Sequence, residues 1–271
     1  MLQAQAFLEE SQQVFDLLQA QPSEDLLRTT QFKSWSIEDI VRHLYVWNSA
    51  AIATLGSAER FREFFRPVPT HTKNGMLRDF ERAIVRISGG ELVDLWRKNF
   101  VDTAIAFSAA DPSVRLEWGG PPLSARSCIT SRLMETWAHG QAIYDELGVE
   151  RTNTDRLKDV AEIGVRTFEW TFANRGLPVP GRPPKIELVA PSGAHWRWDG
   201  EAAHDTISGS AVDFCQVVTQ VRNIADTQLT VTGAIGRQWM SIAQCFAGPP
   251  NDPPAPGTRY RKVREGRSVK T

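Results

Sequence analysis

The sequence predicts a mainly α chain, helical to about Gly176 and closed by a small α/β domain. Three observations lead there. Apolar residues recur at helical spacing through most of the chain before Gly176. Helix starts and stops stand beside them: Ser36-Ile37-Glu38-Asp39 has the form of a capping box, and Gly56, Gly148 and Gly176 each follow a last periodic residue. Composition then changes at Gly176-Leu177-Pro178-Val179-Pro180-Gly181-Arg182-Pro183-Pro184, after which short β-prone runs begin. A length of 271 residues suits two domains. The expected units are 1–177, a helical bundle; 183–250, a small α/β domain; and 251–271, a proline-rich and basic tail expected to be flexible.

Taken in order, Phe7, Val14, Phe15 and Leu18 lie on one face of a first helix from Leu2 to about Ala20, and Pro22-Ser23 ends that pattern. Ser36 caps a second helix that runs through Ile40, Leu44 and Trp47 to Leu55. A short helix from Ala58 to Phe65 should stop at Arg66-Pro67-Val68-Pro69, with His71 in the loop that follows. Asn74-Gly75 breaks the chain again. Met76 to Ile87 and Glu91 to Ser108 are patterned on either side of Ser88-Gly89-Gly90. Val114 to Trp118 reads as extended, and Gly119-Gly120-Pro121-Pro122 as a loop. A long helix follows from Ser124 to Leu147, then another from Asp155 to Asn174. In the α/β part, Lys185 to Val189 and His195 to Trp198 should pair as a hairpin about Pro191-Ser192-Gly193, with His204 in a polar turn. Ser210 to Arg222 reads as a helix, Gln228 to Thr232 as a strand, and Ile235 to Phe246 as a last helix.

Charge and cysteine use exclude several function classes. The 31 basic and 32 acidic residues give a net charge of −1, so no whole-protein field favours nucleic acid or an anionic membrane. The balance is uneven: the last 13 residues carry +5 and the other 258 carry −6. No run of 18 apolar residues is present, and the N-terminus has no signal-peptide pattern. Cys128, Cys215 and Cys245 form neither a disulfide framework nor a metal knuckle, which makes the cytoplasm the default location. Any metal must then be held by His, Asp and Glu, and only five histidines are available.

One constellation fits. Cys128, Arg132, Glu135 and His139 follow an i, i+4, i+7, i+11 stripe on the long helix, the spacing that normally faces a core. A thiol, a guanidinium, a carboxylate and an imidazole there need partners, because unpaired charges are costly to bury. Glu135 and His139 can reach one cation together, and His43 on the Ser36-capped helix is the best third ligand. Two imidazoles and a carboxylate leave positions open for water or substrate. Zinc suits that set best, with nickel, iron and manganese as alternatives. The competing reading is a helix-surface ion pair between Glu135 and His139 with His43 a core histidine. Cys128 reads as a small core residue. Arg132 either neutralises Glu135 or binds a substrate. His71, His195 and His204 read as exposed.

The segments Ser34-Trp35-Ser36-Ile37-Glu38-Asp39-Ile40-Val41-Arg42-His43-Leu44 and Leu133-Met134-Glu135-Thr136-Trp137-Ala138-His139-Gly140-Gln141 resemble the two metal-bearing signatures of the mycothiol-dependent maleylpyruvate isomerase group, within the DinB-like superfamily of four-helix bundles. The resemblance covers the chain to about Gly176. It implies a DinB-like bundle with His43, Glu135 and His139 as zinc ligands. The segments Ala243 to Pro250 and Ser210 to Thr227 look like the small C-terminal domain of an uncharacterised branch of the same group. Part of that region is also similar to a family labelled with wyosine base formation in tRNA, but the acidic body argues against an RNA partner. One departure stands out: where the isomerases carry an Asp three residues after the second His, this chain has Ala142. That puts the maleylpyruvate reaction in question more than the metal site.

The resemblance implies thiol activation: mycothiol or another small thiol bound at the metal attacks an electrophilic substrate, for isomerisation or transfer. Arg132 and, from the second domain, Arg222 are the candidates to hold a substrate carboxylate. The alternatives are a metal-dependent hydrolase on the same bundle and a non-catalytic metal-binding module. Small molecules are the expected partners, with no membrane and no nucleic acid; the sequence does not speak to the oligomer.

Overall fold

The computed structural model describes residues 1–73, 76–199 and 202–263. The Asn74-Gly75 break and the basic residues Arg264, Arg267 and Lys270 lie outside them. The helices are α1 (Leu2–Gln19), α2 (Ile37–Gly56), α3 (Ala58–Phe65), α4 (Val68–Lys73), α5 (Leu77–Ile84), α6 (Gly89–Ala109), α7 (Ala125–Leu147), α8 (Leu157–Arg166), α9 (Phe168–Asn174), α10 (Ala211–Val218) and α11 (Ala234–Ile242). The strands are β1 (Arg115–Leu116), β2 (Leu123–Ser124), β3 (Pro184–Val189), β4 (His195–Trp198), β5 (Ala202–Ser210) and β6 (Thr230–Thr232).

Helices α1, α2, α6 and α7 form a four-helix bundle in which α1 and α2 each pack on both α6 and α7. Phe7, Leu18, Ile40, Leu44, Trp96, Phe100, Phe107 and Trp137 fill its centre, all fully buried or nearly so. Each such side chain contributes about 1.5–3 kcal/mol on leaving water. The predicted capping box is present: Ser36 Oγ accepts from Asp39 N at 3.1 Å and the Asp39 carboxylate accepts from Ser36 N at 3.2 Å. Helix α7 ends at Gly148, whose φ of +67° suits glycine.

Buried charge on α2 draws in the next segment. The Asp39 carboxylate takes Arg82 Nε and Nη2, both at 2.9 Å. Arg42 donates to the carbonyls of Val85 at 2.9 Å and Ile87 at 3.1 Å. Together these bonds clamp α5 and the turn after it against α2, which sets the position of Glu81.

The C-terminal sheet has the order β4-β3-β5-β6, with β3 antiparallel to β4 and parallel to β5, and β5 antiparallel to β6. Helices α10 and α11 pack on it, and α8 and α9 pack against α10 and α11 respectively. The approach of α8 to α10 is close: a Cβ at Gly164 would stand 2.8 Å from Val218 Cγ2 and 3.0 Å from Phe214 Cε1. One apolar cluster runs from the bundle through these helices to the sheet.

Several elements differ from the sequence reading. Pro67 and Pro69 do not stop the chain; they lie at the start of α4, where proline is tolerated, so His71 is helical and its Nδ1 lies 2.7 Å from the Pro67 carbonyl oxygen. The expected helix from Asp155 to Asn174 is two helices that meet at Thr167, whose Oγ1 donates back to the carbonyls of Ile163 at 2.8 Å and Gly164 at 3.0 Å. His204 lies in strand β5 rather than a turn; the strand carries few β-branched or aromatic residues, and its pairing to β3 and β6 decides its state. The last helix ends at Ile242, four residues before Phe246.

The tail is irregular over its described part. Its prolines deny it a helix, yet its polar groups find partners on several elements. Asp252 pairs with Arg175 at 2.8 Å, Gly257 N donates to the Asp226 carboxylate at 2.9 Å, and Tyr260 N donates to Gln31 Oε1 at 2.8 Å. Arg259 Nη1 donates to the Gln220 carbonyl at 2.7 Å, and Lys262 N to that of Asp145 at 2.9 Å. Residues 251–263 are thus strapped across the body.

Candidate metal centre

Helices α2 and α7 bring His43, Glu135 and His139 together. One ligand atom from each lies within 4.8 Å of the others. Glu135 Oε2 is 3.0 Å from His139 Nε2, its i+4 neighbour on α7, and 3.8 Å from His43 Nε2 on α2. A helix-surface ion pair has no such third member. The side chains of His43 and His139 are each 11% exposed and that of Glu135 is 23% exposed, so the cluster is recessed but reachable. Among the described residues it is the one group of three or more His, Cys, Asp or Glu side chains with metal-binding spacing.

The opposite ring nitrogen of His43 is held. His43 Nδ1 lies 2.7 Å from Glu81 Oε1, and that same oxygen accepts from Trp47 Nε1 at 2.9 Å. With Glu81 accepting from Nδ1, the Nε2 edge of the ring is turned toward Glu135, the orientation that suits a metal-binding imidazole. Burial by itself would lower the His43 pKa, but Glu81 and Glu135 outweigh it and raise it to about 9. Burial would raise Glu135, yet hydrogen bonds to His139 and His43 hold it well below the usual carboxylate range. His139 is lowered by burial despite Glu135. Positive charge is thus favoured at His43 and disfavoured at His139, with the Glu135 carboxylate held ionised between them.

Aromatic rings wall it. Trp35 stacks on His139 with ring centres 5.9 Å apart and planes 5° apart, and meets His43 edge-on at 5.2 Å. Phe32 meets His139 edge-on at 4.9 Å. Both rings come from a tight turn closed by Thr30 N to the Trp35 carbonyl at 2.8 Å and Trp35 N to the Phe32 carbonyl at 2.9 Å. Lys33 and Ser34 adopt φ of +49° and +56° there. Left-handed non-glycine residues cost about 1–3 kcal/mol each and cluster at functional sites.

The other sequence candidates fall in different places. Arg132 is buried one turn before Glu135; Nε donates to Asn48 Oδ1 at 3.0 Å, while Nη2 is buried with no hydrogen-bond partner. Burial lowers its pKa, against the pull of Glu135. Arg222 does not join this cluster as an open cation: Nη2 pairs with Asp145 Oδ1 at 2.7 Å and Nη1 donates to the Val221 carbonyl at 3.2 Å. Ala142 packs against the core. One turn on, Asp145 accepts from Gln141 Nε2 at 3.0 Å as well as from Arg222. Cys128 is buried and its thiol is pushed up to about 12; Cys215 and Cys245 are buried with raised pKa as well. His195 and His204 are exposed, and His71 is half-buried.

Glu81 was missed in the sequence. It lies 38 positions from His43 on an eight-residue helix rich in charge, and only the α2–α5 packing buries it to 1% exposure. Its neighbour Phe80 on the buried side was the available signal.

The chain matches the family described as the mycothiol maleylpyruvate isomerase N-terminal domain over residues 7–144. Two uncharacterised proteins, from two strains of Mycobacterium tuberculosis, are each 35% identical over 229 residues, covering 84% of this chain and 89% of theirs. Among solved structures, the crystal structure of the mycothiol-dependent maleylpyruvate isomerase is similar with a TM-score of 0.53 at 12% identity, over 84% of this chain and 91% of that one. That last likeness is one of fold.

Proposed function

The chain belongs to the mycothiol maleylpyruvate isomerase N-terminal domain family, and from that premise we propose that it is a zinc enzyme that uses a small thiol such as mycothiol for isomerisation or transfer on a small, electrophilic, carboxylated substrate. The observation that carries this reading is the convergence of two imidazoles and one carboxylate within 4.8 Å on a recessed but reachable surface. Three protein ligands leave zinc an open position. The donor set fits zinc, and the Glu135 carboxylate, held ionised, supplies it a negative charge.

In this reading His43, Glu135 and His139 hold the metal, and Glu81 keeps the His43 Nδ1 proton so that Nε2 faces it. Bound zinc lowers the pKa of a coordinated thiol, so that the thiolate exists at neutral pH. The nucleophile comes from outside the chain, because all three cysteines are buried with raised pKa. Phe32 and Trp35 exclude water from the ligand side. Arg132 holds a substrate carboxylate through the nitrogen that lacks a partner. Arg222 is engaged by Asp145, and in this reading the contact falls to Arg132.

Cobalt replaces zinc in such sites and makes thiolate ligation visible. Titrating the cobalt-substituted protein with mycothiol should raise a thiolate-to-cobalt charge-transfer band that saturates at a single thiol per metal. No band, together with metal-dependent ester hydrolysis in the absence of thiol, would point to the hydrolase instead and sink the thiol reading.

A further inference from the structure

The four-helix bundle is covered unevenly. Helices α3 and α5 pack along α2, and α8 packs along α7. On the α1–α6 side, one stripe of each helix stays open to solvent. Leu2 and Asp16 of α1 are exposed there, Leu2 to 84%, and Lys98 and Ile105 of α6 are exposed beside them, Ile105 to 64%. Leu8 and Val101 lie half-buried between the stripes and line a shared groove. Apolar side chains so exposed, gathered on one face and rimmed by charge, mark a surface made for contact.

The two stripes are graded in the same sense. Helices α1 and α6 run antiparallel: Met1 N donates to the Ser108 carbonyl at 3.5 Å, and farther along the Arg97 guanidinium lies 5.1 Å from the Phe15 ring centre. The apolar ends, Leu2 and Ile105, therefore share one end of the face, and the charged ends, Asp16 with Arg97 and Lys98, share the other. Lys98 is engaged by Asp102 of its own helix at 2.6 Å. Among the described residues, neither Asp16 nor Arg97 has an oppositely charged side chain within ion-pair distance.

Such a face complements itself in one orientation. A two-fold axis parallel to the helices lays α1 of each copy over α6 of the other at unchanged height. Leu2 then meets Ile105, Leu8 meets Val101, and the Asp16 carboxylate meets the Arg97 guanidinium, each contact made twice. An axis across the helices would instead reverse each helix on its own copy and set apolar ends against charged ones. With 18 residues in α1, the strip is about 27 Å long and about 20 Å wide, so a contact along it buries about 1,000 Å² in total. That is the low end for a specific pair, and association should depend on concentration.

We propose that the α1–α6 face is the interface of a homodimer with its two-fold along the helices, in which Asp16 of each copy pairs with Arg97 of the other. This face lies on the side of the bundle opposite the α2–α7 metal cluster, so the proposal depends on neither metal nor thiol.

Sedimentation velocity on the full chain over a range of concentrations reads the association, with the melting temperature of every variant checked. Wild type should pass from monomer to dimer with a Kd of about 1–100 μM. Ile105→Glu should leave monomer alone. Val189→Glu, at an exposed apolar position on β3 away from this face, should dimerise as wild type does. Asp16→Lys and Arg97→Glu should each weaken association about tenfold or more, because like charges then meet twice. An equimolar mixture of those two variants should regain wild-type association, because each copy then offers the charge that the other lacks. Wild type that stays monomeric throughout this range overturns the proposal in favour of a partner other than this chain. So do a dimer undisturbed by Ile105→Glu, an equal loss in Val189→Glu, or a mixture that associates no better than its components.

Discussion

Replacing Glu10 with alanine should destabilise the fold by about 3–5 kcal/mol, the usual cost of stranding one member of a buried ion pair. Glu10 is 4% exposed on α1, and one of its oxygens takes Arg151 Nη2 while the other takes Arg156 Nη2 at 3.2 Å. Arg151 is itself buried. Nη1 donates to the Trp137 carbonyl at 2.7 Å, and its guanidinium lies 5.3 Å from the Trp137 ring centre and 5.0 Å from that of Tyr144. Without Glu10 this cation has no carboxylate and no route to water short of prying α1 from α7. The effect reaches the site, since α7 carries both Glu135 and His139. Urea unfolding followed by far-ultraviolet circular dichroism reads the change, and a loss below about 1 kcal/mol, the range of an exposed pair, would contradict this account.

Glu81→Gln should weaken zinc binding by about 10–100-fold while leaving the fold in place, the range seen when the group behind a metal-bound histidine is changed. The carboxylate accepts from both His43 Nδ1 and Trp47 Nε1 through one oxygen. An amide of the same shape offers an uncharged acceptor and can turn its NH2 toward the ring, which favours the tautomer with its proton on Nε2 and removes the ligand lone pair. The variant loses little packing volume, so a normal melting temperature with weakened zinc affinity, measured by competition with a chromophoric chelator, separates orientation from folding. Unchanged affinity would mean that Glu81 only neutralises His43.

Much of this arrangement is legible in the chain itself because the signals are local. The Ser36–Asp39 capping box starts α2 and places His43 two turns along it; helical spacing places Glu135 and His139 side by side. What escaped depends on contacts between distant segments. Glu81 becomes buried only when Arg42 and Arg82 clamp α5 to α2. Lys33 and Arg259 meet at the Phe32 ring from 226 positions apart, and nothing near either one marks that meeting. Arg222 shows the converse: a guanidinium after an apolar helix reads as a ligand for substrate, and a carboxylate on α7, invisible to local pattern, takes it instead. Strand β5 was missed for the same reason, since its identity comes from the strands on either side.

The central claim is that His43, Glu135 and His139 together hold a metal. Zinc content after equilibration and removal of free metal, compared between wild type, His43→Ala and Glu135→Ala, tests it most directly. The geometry predicts a single zinc per wild-type chain and loss of stoichiometric zinc in both folded variants. Stoichiometric zinc retained in both would contradict it.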